Sequence, residues 1–251
     1  MLGHVDGRSV RAESFDRVAE EYERGRPGYP DAALELVPVG TDATVLDLAA
    51  GTGKLTGVLA RRFRRVVAVE PLDAMRAIVV REVPSAEALA GRAEAIPLQD
   101  AEVDAVFVAQ AIHWFANDAA IAEIARVLRP GGVLAVLRNE VDGEAPLPDA
   151  YRARIDELFE DATFSPAGWR GAVARGPFGQ LTVASVEHEQ VSDREDVLAF
   201  ALSLSLIAHR PDAERLRLME DLGAVLPEGE YRFAMRTDVT WAIRHASAPA
   251  S

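Results

Sequence analysis

The segment Val45 to Thr56, VLDLAAGTGKLT, followed by Val66 to Glu70, VVAVE, constrains this chain more than any other feature. An apolar run that stops at small residues and then becomes amphipathic reads as a buried parallel strand, a tight turn and a helix. The turn Ala49-Ala50-Gly51-Thr52-Gly53 carries little side-chain bulk, so a ligand can approach its backbone. The next strand ends in a carboxylate, Glu70, where folds of this kind hold both ribose hydroxyls of a nucleoside, because a carboxylate accepts both protons.

Spacing narrows the ligand. A P-loop requires GxxxxGK[ST], but the residue five before Gly53 is Leu48, and Lys54 is followed by Leu55. A dinucleotide fingerprint requires GxGxxG, and the third position here is Thr56. Asp47, just before the turn, has the wrong sign of charge for a pyrophosphate and suits a cationic ligand. These residues resemble motif I of the class I S-adenosylmethionine (SAM) dependent methyltransferases, typically DxGxGxG with an acid ending the second strand. Ala49 stands at the first glycine, and the resemblance implies a negative φ there, since a side chain disfavours the left-handed region.

Further matches follow in the family's order. GRAEAIPL, Gly91 to Leu98, is similar to the segment after the third strand that meets adenine, through the Ala93 backbone and the Glu94 carboxylate. VDAVFVAQAIHWF, Val103 to Phe115, resembles the fourth strand and its functional loop, and RVLRPGGVLAV, Arg126 to Val136, the helix end, turn and fifth strand. YERGRPGYP, Tyr22 to Pro30, resembles a segment of a small-molecule subgroup that includes trans-aconitate and UbiE-like methyltransferases. The likeness covers roughly residues 12 to 140 well and the rest loosely. It implies SAM as cofactor, a small-molecule acceptor, and a doubly wound, Rossmann-like, seven-stranded α/β sheet with a helical lid. By the same resemblance, cofactor binding falls to Asp47, Ala49, Gly51, Thr52, Gly53, Glu70, Pro71, Leu72, Ala93, Glu94 and Gln110. His113 is the candidate catalytic base, its imidazole titrating near neutrality. Tyr22, Arg26, His113 and Trp114 are expected to meet the substrate or close over the cofactor, with Arg26 pairing a carboxylate of either cofactor or substrate. Phe115 is either pocket or core, and His209 and Arg210 are weaker candidates.

The 251 residues carry a formal charge of -13 at 49% hydrophobic content, with a sequence pI near 4.9. Such a surface repels nucleic acid phosphates at long range, so a nucleic acid acceptor is not expected. No Cys is present, so there is no disulfide framework; MLGHVDGRSV lacks a charged region followed by an apolar one, and no apolar run approaches the ~18 to 20 residues of a membrane span, so the cytoplasm is the default location expected. His4, His188 and His245 lack metal-ligand neighbours at useful spacing, and no metal is expected.

The expected organisation is an N-terminal helical segment over residues 1–40, a SAM-binding core over 41–145 and a C-terminal part over 146–251. Ser14 is expected to cap a helix ending near Gly25, and Asp31 a short helix through Leu36. Beyond the core, a helix is read over Asp149 to Glu160, a Gly-, Pro- and Ala-rich segment over Ser165 to Gly179, and strands over Leu181 to Val191 and Arg232 to Arg244. About 40 residues separate those strands, with one helix carrying Val197, Ala201, Leu204 and Ala208 and another carrying Leu216, Met219, Leu222 and Leu226. These helices, about residues 192–229, are expected to form the lid. Two other classes stay open: an NAD(P) oxidoreductase, which shares the strand, loop and acid plan, and a SAM-binding module without catalysis.

Overall fold

The structure is a computed structural model that describes residues 14–159 and 168–246. His4, the rest of the N-terminal stretch, Glu160 and Ser165 lie outside the described residues. Seven strands, β1 (Thr44–Leu48), β2 (Arg65–Val69), β3 (Glu87–Leu89), β4 (Val103–Ala109), β5 (Leu128–Val141), β6 (Thr182–Asp193) and β7 (Glu230–Ile243), lie in the order β3-β2-β1-β4-β5-β7-β6. β1 pairs in parallel with β2 and β4, β2 with β3, and β4 with β5. At β5 and β7 the bonds run in opposite order, Gly131 N–H to the Arg244 carbonyl and Asp142 N–H to the Ala234 carbonyl, so β7 is antiparallel and the sheet is mixed. This is the seven-stranded α/β architecture expected from the sequence.

All five residues of β1 are buried, as a central strand covered on both faces requires. Alternation sends Leu46 and Leu48 into one core with Val67, Val69, Val106 and Val108, while Val45 enters the other with Phe107, Leu55 and Leu59. Each fully buried leucine contributes on the order of 2 kcal/mol. The same period puts Asp47 on the Val45 face, against helix α3 (Lys54–Arg62), which follows the turn. The preceding helices are α1 (Ala19–Gly25), entered through a 3-10 turn at Ser14–Val18, and α2 (Asp31–Glu35). Helices α4 (Asp73–Glu82), α5 (Ile112–Phe115) and α6 (Asp118–Val127) complete the crossovers up to β5.

The chain divides into two compact units, one holding described residues 14–27, 141–159 and 188–235, the other 28–140, 168–187 and 236–246. The first is helical, with α7 (Asp149–Phe159), α9 (Arg194–Leu202), α10 (Ser205–Ala208) and α11 (Asp212–Val225). Its core joins Tyr151, Val197, Leu198, Ala201, Ile207, Leu222 and Leu226. Burial and the nearby Tyr231 raise the Tyr151 phenol, whose hydroxyl donates to the Val197 carbonyl at 3.3 Å. Helix α1 crosses α9 at Gly25, where a Cβ would stand 2.1 Å from the Phe200 nitrogen. Arg24 pairs there with Asp193, Glu195 and Asp196, and Asp193 and Asp196 form a capping box at the start of α9.

Three local expectations need correction. Ser14 opens the 3-10 turn while Val18 stands at the N-cap of α1, and Pro30 rather than Asp31 stands at the N-cap of α2, neither with a side-chain cap bond. The helix read through Val197 and Ala208 is broken into α9 and α10, because the Ser203 hydroxyl turns back to the Phe200 carbonyl and Leu204 is extended at φ -69°, ψ 132°. Within the Gly-, Pro- and Ala-rich segment, Gly168–Arg175 forms a helix, α8, that belongs to the sheet unit and buries Ala172 and Val173 against it.

Candidate functional site

The turn after β1 is shaped by three left-handed residues, Ala49 (φ 58°), Gly51 (φ 58°) and Gly53 (φ 93°). The expected negative φ at Ala49 is therefore wrong: the backbone keeps the conformation a glycine would take and accepts the strain, roughly 1 kcal/mol for a residue with a Cβ. The turn is tied down by Ala50 N–H to the Val69 carbonyl at 3.2 Å and by Gly53 N–H to the Ala50 carbonyl at 3.0 Å.

Two carboxylates hold this turn. Glu70, 5% exposed, accepts from Gly51 N–H through Oε2 at 2.8 Å and from Leu72 N–H through Oε1 at 3.0 Å. It therefore joins the turn to the residue preceding α4. Pro71 is exposed and Leu72 half-buried beside it. Asp47, 1% exposed, accepts the Thr56 hydroxyl through Oδ2 at 2.7 Å. Thr56 is a site residue that sequence reasoning noticed only as a failed glycine position; its α3 placement, one turn past Gly53, brings it onto Asp47. Burial above all, with Glu70 nearby, pushes the Asp47 carboxyl up to about 7 against the pull of the Thr56 bond.

Asp47 Oδ1 and Thr52 Oγ1 are buried without a hydrogen-bond partner among the described residues. Unmet buried oxygens of this kind carry a desolvation penalty that a ligand can relieve. One carboxylate of high proton affinity and one hydroxyl at a bare turn fit a ligand that brings donors and positive charge, as SAM does.

Farther along, Ala93 is buried at 5% exposure, while Glu94 is exposed and accepts from Asn117 Nδ2 at 2.9 Å. Asn117 caps α6 through Ala120 N–H, so Glu94 supports a helix start. Gln110 follows β4 at φ 54° and donates from Nε2 to the Asn139 carbonyl at 2.8 Å. His113 and Trp114 lie on α5, half-buried, with ring centroids 4.9 Å apart. Trp114 and Phe115 pack on the first core beside Trp169 of α8.

In the helical unit, Arg26 lies 5.0 Å from the ring centroids of both Tyr22 and Phe200. Its guanidinium donates to Ser203 Oγ at 2.8 Å and to the Ser203 carbonyl at 2.7 Å. Within the described residues Arg26 is thus held by Ser203 at the end of α9. His209 Nδ1 meets the Ser205 carbonyl at 2.9 Å and Arg210 Nε the Leu206 carbonyl at 3.2 Å, both local helix-end contacts. Burial lowers His188 on β6. Among the described residues no group of three His, Asp or Glu is arranged to hold a metal, and no helix is long and apolar enough to cross a membrane.

A depression of about 410 Å³ opens at the opposite, amino edge of the strands, lined by Pro38, Ala43, Asp104, Arg129 and Gly131 among others. Its Arg129 and Asp104 pair with each other, and Asp104 also accepts from Thr44 N–H. Its charged groups are thus satisfied internally, unlike Asp47 and Thr52, so the carboxyl edge is the better site.

Residues 46–136 match the family model described as a methyltransferase domain. An uncharacterized methyltransferase of Mycobacterium tuberculosis is 50% identical over 129 residues, 51% of this chain, so the match spans about half (53%) of that relative's length. An uncharacterized methyltransferase of Schizosaccharomyces pombe is 39% identical over 222 residues, covering 85% of this chain and 87% of that protein. A solved structure from Anaeromyxobacter dehalogenans, provisionally assigned as a type II methyltransferase, superposes with a TM-score of 0.62 at 27% identity, over 88% of this chain and 98% of its own. With the strand order and the carboxyl-edge turn already in place, these likenesses make the chain a member of the class I SAM-dependent methyltransferase family.

Proposed function

We propose that this chain transfers a methyl group from SAM to a small-molecule acceptor, most readily at an oxygen. The observation that carries the reading is the turn at the end of β1, gripped by Glu70 and backed by Asp47, with two buried oxygens left for a ligand. When bound, SAM supplies a methyl group already activated on a sulfonium. The protein's work is then to orient donor and acceptor and exclude water, and alignment alone can supply several kcal/mol of the barrier.

In this reading Glu70 accepts the ribose hydroxyls, since a carboxylate oxygen can accept more than one hydrogen bond. Asp47 favours the cationic end of the ligand, and the Ala93 backbone and Glu94 meet the adenine. Gln110 meets the methionine half, and Trp114 helps keep water from the reacting centre. His113 takes the proton of an acceptor hydroxyl; a carboxylate acceptor needs no base. The charge of -13 disfavours polyanionic acceptors and supports a small one.

A thermal-shift screen with SAM, S-adenosylhomocysteine (SAH), NAD and NADP tests the donor. Stabilisation by SAM and SAH alone is expected, whereas stabilisation by a dinucleotide and not by SAM overturns the proposal. Methyl-labelled SAM with a panel of hydroxyl, carboxyl and amine compounds then identifies the acceptor atom. SAH formed one-for-one with a methylated oxygen is expected, and label appearing only on nitrogen or carbon overturns the oxygen assignment.

A further inference from the structure

Asn139 lies near the carboxyl end of β5 with 8% of its surface exposed. Its Nδ2 donates to the Gly28 carbonyl at 2.8 Å, and its Oδ1 accepts from Thr237 Oγ1 at 2.5 Å. A carbonyl only accepts, so the Gly28 bond fixes which end of the amide is nitrogen. The main-chain carbonyl of Asn139 accepts from Gln110 Nε2, and two residues earlier the Leu137 carbonyl accepts from Gln110 N–H at 3.0 Å. Gln110 is therefore held by β5 through both its main chain and its side chain. It is held at φ 54°, a conformation that a residue with a Cβ keeps only where its surroundings impose it. Gly28, Asn139 and Thr237 also lie within two residues of points where the chain passes from one compact unit to the other.

We infer that Asn139 is a positioning residue for the methionine half of the cofactor: its buried side chain fixes the end of β5, and that strand end sets Gln110. The inference rests on the proposed function, which puts Gln110 against that half of SAM. Without the Asn139 amide, the Gly28 carbonyl and the Thr237 hydroxyl lose this partner, and the strand end is free to shift. Gln110 moves with it, because both of its anchors lie within residues 137–139. Glu70 reaches the turn through Gly51, which follows β1, and Leu72, which follows β2, so the nucleoside half is held at strand ends other than that of β5.

Two ligands separate these halves. SAH carries both, and 5′-methylthioadenosine keeps the nucleoside while lacking the amino-acid end. In calorimetric titrations Asn139→Ala should weaken SAH on the order of tenfold, the worth of one or two neutral hydrogen bonds, with 5′-methylthioadenosine unchanged within about twofold. Thr237→Val, which removes the donor to Oδ1 and leaves the Gly28 bond in place, should show the same pattern to a smaller degree and carries the test if Asn139→Ala does not fold. Adding Gln110→Ala to Asn139→Ala should weaken SAH little further, as expected for groups acting through one contact. Equal loss of both ligands, no loss of either, or fully additive effects overturn the inference and leave the proposed function standing. No SAH binding by the wild-type chain overturns the proposed function, and this inference with it.

Discussion

Replacing Asp47 with Asn tests whether the turn is built around a carboxylate held at the expense of stability. The carboxyl rises from 3.8 to about 7 on folding, about 3 units, and each unit is worth 1.36 kcal/mol, giving about 4 kcal/mol. The sign follows from proton binding. Between pH 4 and 7 the folded chain holds a proton on Asp47 that the unfolded chain has released, so stability falls as pH rises through this window. The contribution is fully present below pH 4 and lost above pH 7. Asn does not titrate, so the stability of Asp47→Asn minus that of wild type should grow by about 4 kcal/mol from pH 4 to pH 8. The unmet amide that Asn leaves beside Thr56 adds a constant to this difference and does not alter its slope. Urea unfolding followed by circular dichroism at fixed pH values across this range measures it directly. A difference that stays flat would refute the reasoning, since Asp47 would then titrate alike in both states.

Other expectations follow from backbone geometry. Ala49→Gly should relieve the left-handed strain at φ 58° of roughly 1 kcal/mol and, after the added unfolded-state entropy of glycine, stabilise the chain by up to about 0.5 kcal/mol. An unchanged or lowered melting temperature would contradict it. Gly25→Ala drives a Cβ into the backbone of Phe200 and Ala199, atoms that cannot swing aside, so the α1 and α9 contact should be lost at roughly 3 kcal/mol or more. Urea titration and limited proteolysis of the helical unit would register this, and wild-type stability would contradict it.

The sheet and the turn were legible because their information is local. An apolar strand, small turn residues and an acid at the end of the next strand lie within Val45 to Glu70, and hydrophobic period alone separates the two faces of β1. The sign of φ at Ala49 was not legible, since it depends on bonds such as Ala50 N–H to Val69 that a sequence pattern does not reveal. The hold of Ser203 on Arg26 was not legible, because Ser203 lies 177 positions away and becomes available only where α9 ends. The knot at Asn139 was invisible for a similar reason: it depends on the antiparallel register that sets Thr237 beside a residue 98 positions earlier. Thr56 could have been found, since it lies with Leu55, Val58 and Leu59 among the buried residues of the helix that follows the turn, where a hydroxyl needs an acceptor such as Asp47.

The central claim is that the β1 turn and Glu70 hold SAM, and calorimetric titration of SAH into wild type and Glu70→Ala tests it most directly. Removing the carboxylate takes away charge-assisted bonds worth about 1.5–3 kcal/mol each, so SAH should bind wild type at one site and Glu70→Ala roughly 100-fold more weakly, with native circular dichroism retained. Equal affinity in the two proteins would contradict the account.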